Sequence, residues 1–369
     1  MNKEHVTANG EGNHNPLRKP MEMEISKLQT VLEVMLEEIF ARLTLRSIAR
    51  FKSVCKTWKS LIESPYFRRL FVSVHQSSCS SWSLMFPTDY RQGITEPIGF
   101  RGCETWDLPK SIHSYVLDFQ RSLNLPDHSR CYYLASSNGL VWIQISGNMM
   151  PPFVGNPVLQ EWVEIPPPPE PCEATGLVTR VEEEDGVVSS FKVVSTFYSK
   201  NYVDREVWRV YVYSSETGKW TFKQIVTSHP VYNAGVYSQV NLNGMLYLWE
   251  KRPFSTERGV VIAHDFYGPE ADDQCRVIHL PPVPVNVLNN EDVRRCLTTS
   301  GGCVFLVQVL HQTLKLWKLN NKNNNSDDTS QVWHLLREDL SMESVGFDVY
   351  FYPMAMDPFD TSVVYLWSR

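Results

Sequence analysis

The sequence predicts an α+β, multidomain chain: a short helical module near the N-terminus, then an all-β body folded as a propeller of about six blades. Three observations carry this reading. An apolar period of 3.6 residues runs from Leu28 to Ile62 and then gives way to a period of 2. A turn glycine and a late tryptophan return roughly every 50–60 residues through the β part. Charge divides the same way. Between Arg42 and Arg69 eight basic residues (Arg42, Arg46, Arg50, Lys52, Lys56, Lys59, Arg68, Arg69) face one acid, Glu63, whereas the 369-residue chain as a whole carries −6.

The first 26 residues are polar, lack an apolar period and are expected to form a mobile tail (1–26). Leu28, Val31, Leu32, Met35, Leu36, Ile39, Phe40 and Leu43 then fall at i, i+3, i+4, i+7 spacing, one continuous helical face, with Glu33, Glu37 and Glu38 opposite. Thr44 to Arg46 break the pattern, and Ser47 stands where an N-cap is expected. Ile48, Phe51, Val54, Cys55, Trp58, Leu61 and Ile62 resume the helical spacing until Ser64-Pro65 ends it, because proline disfavours helix in the residue before it. Two or three short helices within 27–70 bury little surface alone. Such a module is expected to dock on a partner.

From 71 to 369 the pattern is that of strands. Val207–Tyr213 (VWRVYVY), Leu246–Trp249 and Leu314–Leu319 alternate, bounded by Asn-Gly, Thr-Gly, Gly-Gly and proline-rich turns. No helical period interrupts them, which excludes a βαβ architecture. Trp162, Trp220, Ile278 and Trp333 stand at near-regular intervals, each in a late strand. Asn138-Gly139, Asn243-Gly244 and Gly301-Gly302 mark turns early in a unit. Such a unit reads as a four-stranded propeller blade. Strands near Phe71 to Phe86 pairing with the last segment, VVYLWSR, would close the ring; truncation of the last blade is the other reading. Pro166–Pro171 is expected to be stiff and extended, and Asn320–Gln331 polar and mobile.

Composition removes several function classes. Mean hydropathy is −0.27, and no stretch approaches the roughly 18 apolar residues of a membrane-spanning helix. The polar start is unlike a secretion signal. Eight cysteines without a CxxC pair predict reduced thiols and a cytoplasmic or nuclear protein. No P-loop, GxGxxG, GxSxG or HExxH pattern occurs, and His264, Cys275 and His279 match no common zinc spacing, so neither catalytic residue, cofactor nor metal is expected. The acidic body argues against nucleic acid as a ligand. Gly218-Lys219 is expected in a hairpin turn, and Glu182–Asp185 at a solvated hairpin tip.

Leu36–Leu70, LEEIFARLTLRSIARFKSVCKTWKSLIESPYFRRL, resembles an F-box, most specifically at Val54–Ile62. The body resembles the F-box-associated and kelch-type propellers of plant F-box proteins, at SSNGLVWI, GNPVLQEWVEIPPP, VYSSETGKWTFKQI, VNLNGMLYLWE and CRVIHLPP. The resemblance implies a substrate-receptor subunit of a Skp–cullin–F-box ubiquitin ligase. The helical module would bind the Skp adaptor, and through it the cullin, while the propeller holds a protein target for ubiquitination. The family usually opens its motif with Leu-Pro; Val31-Leu32 stand there instead, so the first helix is expected to extend back to Leu28, and adaptor binding could be weakened. Candidate adaptor contacts are Leu32, Leu36, Ile39, Val54, Cys55, Trp58 and Leu61, with Trp58 as anchor. The hairpin's own core is the competing role for each. Target contacts are sought in exposed loops, at Tyr90, Phe100 and Trp106. The rival functions are an adaptor-independent interaction scaffold and, further off, a propeller enzyme.

Overall fold

A computed structural model describes residues 18–75, 82–87, 94–101, 111–125, 129–146, 150–182, 187–197, 206–228, 239–249, 259–269, 274–282, 293–310, 313–320, 332–341 and 351–368. The chain divides into two compact units, one within Met1–Ser78 and one formed by residues 79–104 and 108–369.

The first unit holds four helices: α1 (Arg18–Phe40), α2 (Leu45–Lys52), α3 (Lys56–Ile62) and α4 (Pro65–His75). Helix α1 begins ten residues before the expected Leu28, so residues 18–26 of the stretch read as a tail are helical; 1–17 lie outside the described residues. Pro20 is compatible with this because first-turn amides have no intrahelical partner to lose. The cap of α2 is Thr44 rather than Ser47: Thr44 Oγ1 accepts from the Ser47 amide at 3.4 Å. Cys55 caps α3 through its Sγ, which accepts from the Trp58 amide at 3.4 Å. Ser64-Pro65 does not simply end the helical run. Proline suits the first position of a helix, where its missing N–H costs nothing. Pro65 therefore opens α4, and Ser64 Oγ caps it by accepting from the Phe67 amide at 3.0 Å.

The second unit is a propeller-type domain. Among the described residues it contains four sheets of four antiparallel strands. They are β3–β6 (Cys131–Ser137, Leu140–Ile145, Phe153–Asn156, Glu161–Glu164) and β7–β10 (Cys172–Val181, Val188–Phe197, Val207–Ser214, Lys219–Val226), then β11–β14 (Gln239–Leu242, Met245–Trp249, Val260–Asp265, Arg276–His279) and β15–β18 (Val293–Ser300, Cys303–Leu310, Thr313–Leu319, Trp333–Ser341). Two further sheets have two strands each, β1–β2 (Trp82–Pro87, Ile94–Arg101) and β19–β20 (Phe351–Met356, Val364–Ser368). In the described residues β1 pairs with β2 and not with β20, so the ring closure expected near Phe71–Phe86 is not among the pairings, and Phe71 itself lies in α4. Phe100, sought in an exposed loop, belongs to strand β2.

The predicted punctuation falls at the blade turns. Asn138-Gly139, Asn243-Gly244 and Gly301-Gly302 join the first two strands of three blades, with φ of +44/+81°, +50/+81° and +51/+70°. Paired positive φ is the type I′ geometry whose twist matches that of the flanking strands. Gly218, at φ +65°, ends the β9–β10 turn, where its amide donates to Ser214 O at 2.8 Å. Strands β7 and β8 meet at Glu182 N donating to Val187 O; residues 183–186 of the acidic run lie outside the described residues, as do 321–331 of the polar loop.

Polar groups tie the first strands of three blades to one another. Ser137 on β3 shares a 2.7 Å hydrogen bond with Thr179 on β7 and donates to Asn241 Oδ1 on β11, also at 2.7 Å. Asn241 Nδ2 returns to Ser136 O at 2.8 Å. Fourth strands make the outer joints. Trp220 on β10 donates its indole N–H to Pro166 O, after β6, at 2.7 Å; Trp333 on β18 donates likewise to His279 O on β14 at 2.9 Å. Ile278, in the equivalent strand β14, has no such donor. There the backbone makes the joint, with Cys275 N donating to Val226 O at 2.9 Å. Trp162 on β6 instead stacks on Phe119 at 4.4 Å.

Phe119 belongs to helix α5 (Ile112–Ser122), which the β body was not expected to contain. Ser111 caps it by accepting from the Ser114 amide, and Val116 and Phe119 are buried against Val141, Ile143 and Phe153 of the first blade. Behind the Ser111 cap, Ile112, Tyr115, Val116, Phe119 and Leu123 do fall at helical spacing, a short signal that the reading of an uninterrupted β body passed over.

Candidate functional site

The helical module completes its own core. Phe40, Ala41, Ile48, Ile62, Phe67 and Phe71 are buried, and Leu36, Leu43, Phe51, Trp58, Leu70 and Val74 pack around them. Phe40, Phe51 and Trp58 form an aromatic triangle with centroids 5.0–5.3 Å apart, two of its sides edge-on. One polar group enters this core. Glu37 is 6% exposed and accepts from Ser64 Oγ at 3.2 Å. Burial raises its carboxyl pKa, the Ser64 hydrogen bond opposes that, and nearby Glu33 adds to it. Thus Glu37 faces inward, contrary to its expected place on the solvated side of α1.

What remains outside is apolar. Leu28, Val31, Leu32, Met35 and Ile39 are each 55–66% exposed and fall on one face of α1, and Val54 between α2 and α3 is 60% exposed. The apolar stripe of the sequence is therefore two faces: Leu36 and Phe40 enter the core, while Leu28, Leu32 and Ile39 turn away from it. Exposed apolar residues in a row mark a partner surface. Arg50, Lys52, Lys56, Lys59, Arg68 and Arg69 of the same module are also exposed. Among the described residues Arg42 meets Glu38 at 2.6 Å and Lys52 meets Glu63 at 3.6 Å.

The sequence candidates divide accordingly. Leu32, Ile39, Val54 and Cys55 are exposed; Leu36, Trp58 and Leu61 are half-buried, with Leu36 and Trp58 packed on the module's core. Leu28, Val31 and Met35 lie on the same exposed face and were not among the named contacts. The signal that finds them is an apolar stripe longer than a four-helix core needs. On the propeller, Phe100 stands on β2, and Tyr90 and Trp106 lie outside the described residues.

A mixed cluster on the second unit went unread in the sequence. The Arg180 guanidinium and the Lys192 ammonium each lie 4.4 Å from the Tyr267 ring centroid, and Lys192 Nζ donates to Phe266 O at 2.6 Å. Burial first, then Lys223, lowers the pKa of the Lys192 ammonium, while Glu216 and Asp265 act against the shift. Its members come from β7, β8 and the β13–β14 connection, a juxtaposition without a linear pattern.

Among the described residues no group of three or more His, Cys, Asp or Glu side chains could hold a metal ion. His264 and His279 sit at opposite ends of the β13–β14 pairing. Burial pushes the thiols of Cys131 and Cys296 up to about 12 and that of Cys172 to about 11, so each stays protonated at neutral pH. No described helix is long and apolar enough to cross a membrane.

A helical module with an outward apolar face, joined to a propeller of four-stranded blades, defines an F-box protein with a propeller body. Comparison with known families bears this out. Residues 33–70 match the F-box domain, and residues 80–369 match the family described as F-box protein At3g26010-like, beta-propeller; the chain belongs to this family of plant F-box propeller proteins. It is 52% identical to F-box protein At1g49990 of Arabidopsis thaliana, over 94% of this chain and 84% of that one. Identity to F-box protein At3g26010 of the same plant is 45% (90% and 73% covered), and to the putative F-box/kelch-repeat protein At4g22430 it is 41% (95% and 78%). The propeller family that matches is not described as kelch, so the kelch-type part of the expectation is left unsupported by the family match, although the kelch label appears in the names of some relatives.

Proposed function

We propose that this chain is the substrate receptor of a Skp–cullin–F-box ubiquitin ligase, acting in the cytoplasm or nucleus. The observation that carries the reading is the exposed apolar face of α1, Leu28, Val31, Leu32, Met35 and Ile39, on an F-box whose core is complete without it. A Skp adaptor covering that face and Val54 removes it from water and connects the propeller to the cullin. The propeller binds a protein target. The receptor itself is non-catalytic: it raises the effective concentration of a target lysine beside a ubiquitin thioester carried by another subunit. Trp58 serves this surface from beneath, as part of the core that fixes α1 against α3, with its exposed part available to the adaptor.

The test is binding of the purified full chain to a Skp adaptor. Leu32→Asp combined with Ile39→Asp places two charges on the exposed face without entering the core. Affinity is expected to fall at least a hundredfold while the denaturation midpoint stays put. A folded wild-type chain that does not bind would remove the ligase reading and favour the adaptor-independent scaffold. Leu32→Pro restores the family's usual proline, and tighter binding by it would measure what the continuous helix costs.

A further inference from the structure

The blade β15–β18 holds a cation that the fold leaves without a counter-charge. Arg295 lies on β15, Gln308 stands directly opposite it on β16, and Lys315 is next in the row on β17. Side chains alternate along a strand, so the row falls on the side of the sheet that carries Leu297, Leu306 and Trp317, which pack on the preceding blade. Buried apolar pairs bound it along the strands, Leu297 with Leu306 on one side and Val293 with Leu310 on the other.

Polar atoms in this row are unsatisfied. Arg295 Nε is enclosed and has no hydrogen-bond partner, and neither has Oε1 of Gln308, a residue only 2% exposed. Among the described residues no carboxylate pairs with Arg295, and burial lowers its pKa to about 10. Lys315 has interactions of its own. The blade design does not demand a charge here. On the same rung of the first blade, sixth from the turn, stand Cys131 and Ile145, both buried and apolar. A guanidinium withdrawn from water is costly unless an anion meets it. Arg295 is half-buried and only its Nε is enclosed, so its terminal nitrogens stay open to a ligand. Opposed residues on paired strands have Cβ atoms about 5 Å apart, close enough for one ligand to satisfy both the arginine donor and the glutamine acceptor.

We propose that this row is a carboxylate-binding subsite of the propeller, taking a carboxylate carried beside a peptide N–H, from an aspartate side chain or from the last residue of a chain. The guanidinium holds the carboxylate through two parallel N–H···O bonds, and the neighbouring N–H donates to Gln308 Oε1. The apolar pairs on either side lower the local dielectric and strengthen the contact. The proposal rests on the reading that the propeller holds a protein target and names the chemistry it recognises. Adaptor binding by the helical module is measured separately, so either reading can fail without the other.

The experiment follows the denaturation midpoint of the full chain against increasing concentrations of three N-acetylated tripeptides. They are Ala-Asp-Ala amide, Ala-Ala-Ala with a free C-terminus, and Ala-Asn-Ala amide as the uncharged control. A rise with the first or the second but not the third is expected, and the peptide that produces it identifies the source of the carboxylate. Arg295→Met should need at least tenfold more of that peptide for the same rise, while without peptide it melts no earlier than wild type because an unpaired charge is gone. If it does melt earlier, Gln308→Leu takes its place, with the same weakening expected. No rise with either carboxylate peptide, or an equal response from wild type and an intact variant, overturns the proposal and leaves only water to bridge Arg295 and Gln308.

Discussion

Trp162, Trp220 and Trp333 occupy the same strand of three blades but have different hydrogen-bond fates, which permits a sharp comparison. Each is replaced by phenylalanine. The change removes a similar volume at all three half-buried positions, so the packing loss is common and cancels in the differences. Trp220 and Trp333 also lose a hydrogen bond across a blade joint, at 2.7 and 2.9 Å, worth about 1 kcal/mol net. The Trp162 indole N–H is buried and has no hydrogen-bond partner among the described residues. Removing it relieves a desolvation penalty of about 1–3 kcal/mol, and phenylalanine can still stack on Phe119. Trp220→Phe and Trp333→Phe should therefore each be less stable than Trp162→Phe by roughly 2 kcal/mol or more. Urea denaturation of the full chain, followed by near-ultraviolet circular dichroism of the propeller, reads the difference. Equal losses at all three sites would show that ring volume, not the indole donor, holds the joints, and would refute the reasoning.

Trp58→Ala opens the Phe40–Phe51–Trp58 triangle and should cost about 2–4 kcal/mol of helical-module stability, at the lower side of aromatic truncations because Trp58 is half-buried; unchanged stability with lost adaptor binding would instead make it a pure contact residue. Glu37 has a raised folded-state pKa, so its contribution is favourable below the unfolded carboxyl pKa and is lost as pH rises through the folded one. Glu37→Gln should accordingly raise the denaturation midpoint at pH 7 and leave it near wild type at pH 3.5, and a gain that is the same at both pH values would contradict this. Gly155 pairs with Trp162 across β5 and β6, and an added Cβ would lie 2.6 Å from the indole ring. Gly155→Ala should cost about 3 kcal/mol in the same urea assay, an overpacking loss because the Cβ also meets the Glu161 backbone carbonyl, which cannot turn aside as a side chain can; unchanged stability would contradict this.

The parts of this fold that the sequence announces are those where one residue type has one physical job. Asn-Gly and Gly-Gly are nearly obligatory where two successive residues take positive φ, so the first turns of three blades are readable. The tryptophans of β6, β10 and β18 repeat because each closes an outer joint or packs on a neighbour. Ile278 hides the fourth member because the backbone at Cys275 makes that joint instead. Helix α5 is legible in the Ile112, Tyr115, Val116, Phe119 spacing after Ser111, but as one short stretch set among strands it is easily passed over. The division of α1 into a buried and an exposed apolar face cannot be read from periodicity, since both faces are apolar and only the position of α2 to α4 decides which is covered. The buried Glu37 follows from the same ambiguity: its Ser64 partner is 27 residues away. The Arg180–Lys192–Tyr267 cluster unites three elements and leaves no linear trace.

In every four-stranded sheet each strand pairs only with its predecessor and its successor in the chain. No blade waits for a distant segment in order to form its ladder. A ribosome adding about 5–20 residues per second needs several seconds to deliver one blade, whereas a hairpin closes in about 1–10 μs. Each sheet can therefore assemble from a single stretch of nascent chain while the next is still being made. The helical module emerges ahead of them all, so the apolar face of α1 is exposed to the cell throughout the synthesis of the propeller.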